Sequence, residues 1–353
     1  MNRPSPPPRG YVDRGARRPK TVIDGIRSAG GVHCETSALQ VLLSFAGWSL
    51  SEPMLFGLGG GLSFIYWDSK RQEIPFLGGR VKPFVLTQNV ASRLGLDLHE
   101  QQTSSASRAW DQVRAVIDSG IPVGLQLDSH DLDYFTSRVH FAGHIVAMYG
   151  YDDEVAYLVD TAQQGGQVST SRESLARARA ARGPMSARHR SFTVKAPTSL
   201  PSTPVPIPAV TSAIRACAEE FLNPPIANLG NRGILTAAQR VRSLHARVPN
   251  PRRDLPAIST IMERAGTGGA LFRNLYRDFL TEAHDMLSAR PEATRIATAR
   301  DGFARSAQLW TNVAHLIERA GASDEHHHLT HASDHLREIA AVETTAMTTL
   351  RSL

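Results

Sequence analysis

Two residues of this chain have the type and setting for covalent acyl chemistry. They are Cys34, in Gly30-Gly31-Val32-His33-Cys34-Glu35-Thr36-Ser37, and His144, in Ala142-Gly143-His144-Ile145-Val146. A free thiol titrates near 8.5 and is mostly protonated at neutral pH, but a helix N-terminus and a neighbouring imidazolium can lower it to roughly 3.5–7.5. The thiolate is then a nucleophile without added base. An imidazole at His144 would take the thiol proton and later return it to a leaving group. A carboxylate at Asp160 would hold the other ring nitrogen and fix the tautomer. A lone cysteine in apolar surroundings is more often inert packing, and that is the reading of Cys217, in Ile214-Arg215-Ala216-Cys217-Ala218. Cys34 is set apart by the glycines and His33 before it and by the helical pattern after it. Asp160 could instead cap a turn toward Gly165-Gly166.

These groups need elements to hold them. Apolar residues at helical spacing over Thr36 to Ala46 predict a helix with Cys34 at or just before its first turn, where unpaired N–H groups point outward. The run from His144 and the run Val155 to Val159 read as two strands joined by a turn, so Asp160 ends the strand after the one His144 leads. Leu86 to Leu96 and Ala109 to Ser119 predict helices, and Pro122 to Leu127 a buried strand. Ala196 to Ala209 carries five prolines and predicts an extended linker. Beyond it, Thr211 to Phe221, Ala237 to His245, Leu255 to Arg264, Ala270 to Ala289, Arg300 to Arg319 and Ser333 to Leu350 suit helices. The expected organisation is a basic leader without order (1–20), a mixed α/β catalytic domain (21–195), the linker (196–209) and a helical domain (210–353).

Several of these segments carry a family resemblance. Gly31 to Leu39, Leu50 to Leu62 and Phe64-Ile65-Tyr66-Trp67 resemble the N-terminal domain of the butirosin biosynthesis protein H family, and His144 to Asp160 continues the match. Gly268 to Leu280 resembles the helical C-terminal domain that accompanies it. The resemblance implies an α+β fold: a papain-like cysteine domain, related to peptidases that cleave after double glycine, followed by a mostly α-helical domain. In the named family member it implies acyl transfer from an acyl carrier protein to an aminoglycoside amine. Cys34, His144 and Asp160 fall on the triad positions of that fold, and no cofactor or metal is called for. The implied partners are an acyl carrier protein or other thioester donor and a small-molecule amine acceptor. Papain-like enzymes usually carry a Gln a few residues before the nucleophile as an oxyanion donor; position 28 here is Ser, after Ile26 and Arg27, which leaves that donor unassigned. The alternatives are a peptidase or amide hydrolase of the same fold, with water as acceptor, and a non-catalytic module that holds an acyl chain or peptide.

Other residues have weaker claims. Gly57 to Gly61 lacks the Gly-Lys-Ser/Thr ending of a phosphate loop. The expectation is that Gly59 and Gly60 let backbone approach the substrate near Cys34, with Tyr66 and Trp67 beside them as a wall of the acyl cleft, or that they form an ordinary turn. His33 would orient the thiolate or pack inward. Glu52 and Asp152 would be acceptor-amine ligands or simple caps. His326, His327, His328, His331 and His335, with Asp324, Glu325 and Asp334, read as a chance cluster rather than a metal site, because structural zinc usually draws ligands from separate elements.

The net charge of +6 is concentrated in the leader and in Ser171 to Arg190. There Arg172, Arg177, Arg179, Arg182, Arg188 and Arg190 accompany an alanine-rich run, either a face for an acidic partner such as a carrier protein or a solvated helix face. No interleaved aromatics or DNA-binding motif point to nucleic acid. Two distant cysteines make no disulfide framework, and the longest apolar stretch, Ala38 to Leu50, is shorter than the roughly 20 residues of a membrane span. A cytoplasmic location without membrane association is expected. The helical region from Gly268 to Leu287 would close over the site or pair with a second copy.

Overall fold

The computed structural model describes residues 20–69, 72–136, 139–195, 205–264, 269–323 and 327–353. The leader up to residue 19, most of the proline-rich linker (196–204), Gly268, and Asp324, Glu325 and His326 of the histidine cluster lie outside these ranges. In chain order the N-terminal half runs β1 (Thr21–Val22), α1 (Cys34–Phe45), α2 (Glu52–Leu58), β2 (Leu62–Trp67), β3 (Phe76–Arg80), α3 (Val85–Leu94), β4 (Asp97–Gln101), α4 (Ala106–Asp118) and β5 (Val123–Leu127). It continues with β6 (His144–Tyr151), β7 (Val155–Val159), β8 (Gln167–Ser171), α5 (Arg172–Ala180) and β9 (Ser191–Lys195). The second half is helical: α6 (Ile207–Leu222), α7 (Gly230–Val241), α8 (Leu244–Arg247), α9 (Pro251–Arg264), α10 (Gly269–Met286), α11 (Glu292–Ala322) and α12 (His327–Arg351).

Seven strands form one antiparallel sheet in the order β4-β9-β5-β6-β7-β8, with β1 added against the far end of β6. Its two faces follow the period-2 alternation of a strand. On β6, Ile145 and Ala147 join the core that contains α1, while Val146 and Met148 face the core built with Val113 and Ile117 of α4 and Leu175 and Ala178 of α5. Helix α1 is buried almost all round, from Glu35 to Leu43 except Gln40, as a helix between a sheet and a bundle must be. The fold is therefore α+β.

The α1 core does not stop at the end of the mixed half. It runs on without a break through α2, β2 and β3 into the buried faces of α6, α7 and α9 to α12. Gly57 of α2 is the tightest point: a Cβ there would lie 2.0 Å from the Phe279 ring of α10. Gly57→Ala is expected to destabilise the protein by about 3 kcal/mol, at the upper end of overpacking costs, read as a lowered midpoint in urea with unchanged slope.

Three sequence expectations need correction here. The extended linker ends earlier than residue 209, because α6 starts at Ile207 with Pro208 in its first turn, where a missing N–H costs nothing. The helix expected over Ala237 to His245 is two helices, α7 and α8, separated at Arg242-Ser243. The arginine-rich run is helical only over α5, and residues 181–190 are irregular.

Candidate active site

Cys34 is the first residue of α1 and is partly exposed. The chain enters the helix through Gly31, which has no room for a side chain: a Cβ would meet Ser37 Oγ at 2.4 Å and Glu52 Oε1 at 3.1 Å. The helix has no cap from its own N-cap residue, His33. Glu52, from the first turn of α2, instead holds the residues that lead into the helix, accepting from Val32 N (2.9 Å), His33 N (2.8 Å) and Thr36 Oγ1 (2.8 Å). The next carboxylate along α1, Glu35, is fully buried and faces the other way. It accepts from Phe84 N, Thr87 N and Thr87 Oγ1 at the start of α3 and pairs with Arg80 at 2.8 Å. The half-buried Glu52 and the buried Glu35 fix the position and tilt of the nucleophile's helix. They leave the Cys34 N–H without an acceptor among the described residues.

His144 opens β6 and Asp160 follows β7, and the pairing of those strands brings the two side chains together. His144 Nε2 and Asp160 Oδ2 are 2.7 Å apart, which leaves Nδ1 for the Cys34 thiol, with which the imidazole interacts directly. Asp160 is fully buried and satisfied: Thr161 N–H donates to Oδ1 (2.7 Å) and the Tyr134 hydroxyl to Oδ2 (2.8 Å). The Phe135 ring packs edge-on against the imidazole at 5.2 Å. Beyond Asp160, Ala162 N–H bonds Gly31 O at 2.8 Å and ties the acid's loop to the nucleophile's.

Charge sets the protonation states. Burial would raise the Cys34 pKa, but the charge and hydrogen bond of His144, the Arg80 charge and the Ile145 N–H bring it below its ordinary value. Burial would lower His144, yet the charges of Asp160 and Cys34 outweigh it and push it up to about 10. Burial opposes ionisation of Asp160 too, and His144, Thr161 and Tyr134 together hold it below the usual carboxylate range. The arrangement favours a thiolate–imidazolium pair over a neutral one. Cys217 is the opposite case: it is buried beside Leu62 O, desolvation outweighs the Tyr276 hydrogen bond and the Arg93 charge, and it is pushed up to about 12.

Of the residues expected to bind substrate, only His33 and Glu52 lie beside Cys34, and both are committed elsewhere. His33 points inward, its ring edge-on to Phe56 of α2 (5.8 Å) and Phe272 of α10 (5.5 Å), and burial followed by the Arg80 and His144 charges holds it well below its ordinary pKa. Gly59 and Gly60 do not line a cleft: both are buried, with Leu86 filling the place of a Gly59 side chain and Asn89 bonding the Gly59 carbonyl. Tyr66 and Trp67 sit on β2 beside the helical half, where the Tyr66 N–H bonds Asn228 O, its hydroxyl reaches Asp68 and Trp67 is exposed. Asp152 caps the β6–β7 turn through Glu154 N and Val155 N. Among the described residues no group of His, Cys, Asp and Glu is placed to hold a metal, and no helix is long and apolar enough to cross a membrane.

Tyr134 and Phe135 were not singled out in the sequence, since they lie in the irregular β5–β6 connection with no period to mark them. Tyr134→Phe removes one hydrogen bond to the buried acid, worth about 1.5 kcal/mol. A roughly tenfold slower alkylation of Cys34 at pH 6 is the expected result, with the fold unchanged by circular dichroism.

Residues 33–161 match the family model described as butirosin biosynthesis protein H, N-terminal. Residues 173–350 match a second, described as a domain of unknown function (DUF4872). No curated protein matches the chain. A solved structure described as a C39-like peptidase from Bacillus anthracis is similar over 50% of this chain and 98% of that one, at 17% identity and a TM-score of 0.33, too remote to bear on the site. With half of its length, residues 173–350, matched by one model, the chain belongs to the DUF4872 family, and its nucleophile-bearing part is similar to the N-terminal domain of butirosin biosynthesis protein H.

Proposed function

We propose that the protein is a cysteine-dependent acyltransferase with Cys34 as nucleophile, His144 as acid–base and Asp160 as its orienter. The observation that carries this reading is the Cys34–His144–Asp160 relay: a partly exposed thiol at a helix N-terminus against an imidazole that a buried acid holds from behind. The thiolate attacks a thioester carbonyl, and the S–C bond forms as the carrier thiol leaves with the proton from His144. An amine then attacks acyl-Cys34, His144 takes its proton, and the amide departs as the thiolate is restored. The Cys34 N–H, unpaired at the first turn of α1, would donate to the oxyanion. Ser28, where papain-like enzymes keep a Gln, is occupied with the Gly30 N–H at 3.2 Å.

The family description supports a place for this chemistry in natural-product biosynthesis, and the substrates proposed for it are a carrier-bound acyl donor and a small-molecule amine acceptor. An open groove of about 750 Å³, lined by Ile26, Arg27, Ser28, Gly30 and the loop from Ala162 to Gln167, runs beside Gly31 and would take the donor arm. The partial exposure of Cys34 favours one second reading, amide hydrolysis, since water can reach the same place.

The test is intact-mass spectrometry of wild type and Cys34→Ala with a panel of acyl-carrier and acyl-pantetheine thioesters. A mass gain equal to the acyl group in the wild type alone, discharged faster by amines than by buffer, supports transfer. Discharge that is indifferent to amines supports hydrolysis, and an adduct that persists in Cys34→Ala sinks both.

A further inference from the structure

On the face of the sheet opposite α1, a cavity of about 320 Å³ lies between the first turns of α4 and α5, walled by Ala106, Trp110, Arg172, Arg179 and His189. Arg179 is only 4% exposed, and none of its recorded bonds is to a carboxylate. It donates to two backbone carbonyls, Ala109 O (3.3 Å) and His189 O (3.0 Å), and its Nε is buried with no partner among the described residues. To present that carbonyl, His189 takes a left-handed backbone conformation, φ 49°, which a side-chain-bearing residue adopts at some strain. The Arg172 guanidinium lies over the Trp110 ring at 4.3 Å and donates to Asp153 O, and its buried Nε also has no partner among the described residues. The acid at the rim, Glu173, is exposed and turned outward to Arg177 at 2.7 Å.

A buried cation without a counter-charge is among the costliest groups a fold can hold, and such charges are normally paired. The carbonyl bonds of Arg179 explain how α4 is tied to residues 181–190, but they leave its charge uncompensated and both Nε–H groups unused. Two guanidinium groups, an imidazole and two helix starts on one small concavity form an anion site, and donors converging from several directions suit a tetrahedral oxyanion better than a planar carboxylate. We propose that this cavity binds the phosphate group of a small phosphorylated ligand, with Arg172 and Arg179 as its direct contacts. Its position on the far face of the sheet makes it separate from Cys34 and from the groove at Gly30, and the inference does not depend on the reaction assigned there.

The test titrates the full chain with inorganic phosphate and, in parallel, with acetate, following bound phosphate by 31P NMR and thermal midpoint by fluorescence. Saturable phosphate binding is expected, weakened about tenfold or more by Arg179→Met and by Arg172→Gln, each of which removes charged hydrogen bonds. The control Arg300→Gln, on α11 where Arg300 is half-buried and paired with Asp301, should bind like the wild type. If Arg179→Met does not fold, Arg172→Gln decides. No saturable binding, or equal affinity in Arg172→Gln and wild type, overturns the site, and acetate binding as tightly as phosphate overturns the tetrahedral assignment.

Discussion

Replacing His144 by Ala should slow alkylation of Cys34 by iodoacetamide at pH 6 by about a hundredfold, because the thiolate would lose the chief group that stabilises it. Burial raises the Cys34 pKa, and of the influences that bring it down the His144 charge is the largest. Without it the thiol would titrate at or above its ordinary value of about 8.5, so that at pH 6 only about one molecule in three hundred would be ionised. The more basic thiolate is intrinsically more nucleophilic, which returns part of the loss. In the wild type the sign of the profile follows from the two shifts. Reactivity rises as the thiol deprotonates below its usual range, and acyl transfer falls only when the imidazolium gives up its proton, at about 10. Asp160→Asn separates charge from position: it keeps the ring's hydrogen-bond partner but removes the first of the two charges that raise His144. Its alkaline limb should move down from about 10. Unchanged alkylation of Cys34 in His144→Ala would show that the pair is not coupled and would end the assignment of His144 as acid–base.

What could be read from the sequence here is what is local. Cys34 was legible from two glycines, a histidine and the 3.6-residue period after it, and the structure places it as the first residue of α1. Val155 to Val159 was legible as an apolar run and is β7. The strands β4, Asp97–Gln101, and β8, Gln167–Ser171, were not, because as outer strands of the sheet they are polar and carry no apolar alternation. Glu35 was passed over, and Glu52 was read as an amine ligand or a simple cap, for a related reason. Glu35 and Glu52 look like ordinary first-turn residues, and their hold on elements other than their own exists only once α1, α2 and α3 have met. Gly57 to Gly61 invited a substrate-loop reading because glycine density marks close approach without saying to what. The approach at Gly57 is to Phe279, far along the chain. Sequence also suggested two domains with a linker between them, while the core is continuous, since β2, β3 and α2 bury their apolar faces against helices of the second half.

That continuity makes the buried ion pair of the helical half the most sensitive point for stability. Arg273 of α10 and Glu343 of α12 are both fully buried and meet in a bidentate pair, Nε to Oε1 at 2.8 Å and Nη2 to Oε2 at 3.0 Å. Glu343 Oε1 also accepts from the Trp310 indole at 3.1 Å and from the Ser306 hydroxyl, and the guanidinium lies over the Trp310 ring while reaching Ser63 O on β2. One carboxylate thus joins α10, α11, α12 and, through Arg273, the small sheet of the N-terminal half. Glu343→Gln keeps the shape but leaves the guanidinium buried without its counter-charge, a loss of about 3–5 kcal/mol. For a chain of this size that lowers the melting midpoint by on the order of 10 °C. The double replacement Arg273→Met with Glu343→Leu should recover most of the loss, because it removes the stranded charge and fills the space with apolar atoms. Phe272, the neighbour of Arg273 on α10, is the ring packed against His33 one residue before the nucleophile. Loosening this pair is therefore expected to reach the site, with faster hydrogen exchange at the α1 amides in Glu343→Gln and restored protection in the double variant. A melting midpoint within 2 °C of the wild type in Glu343→Gln would mean that water or a rearranged partner already satisfies Arg273, and the pair would lose its place as the link between the two halves.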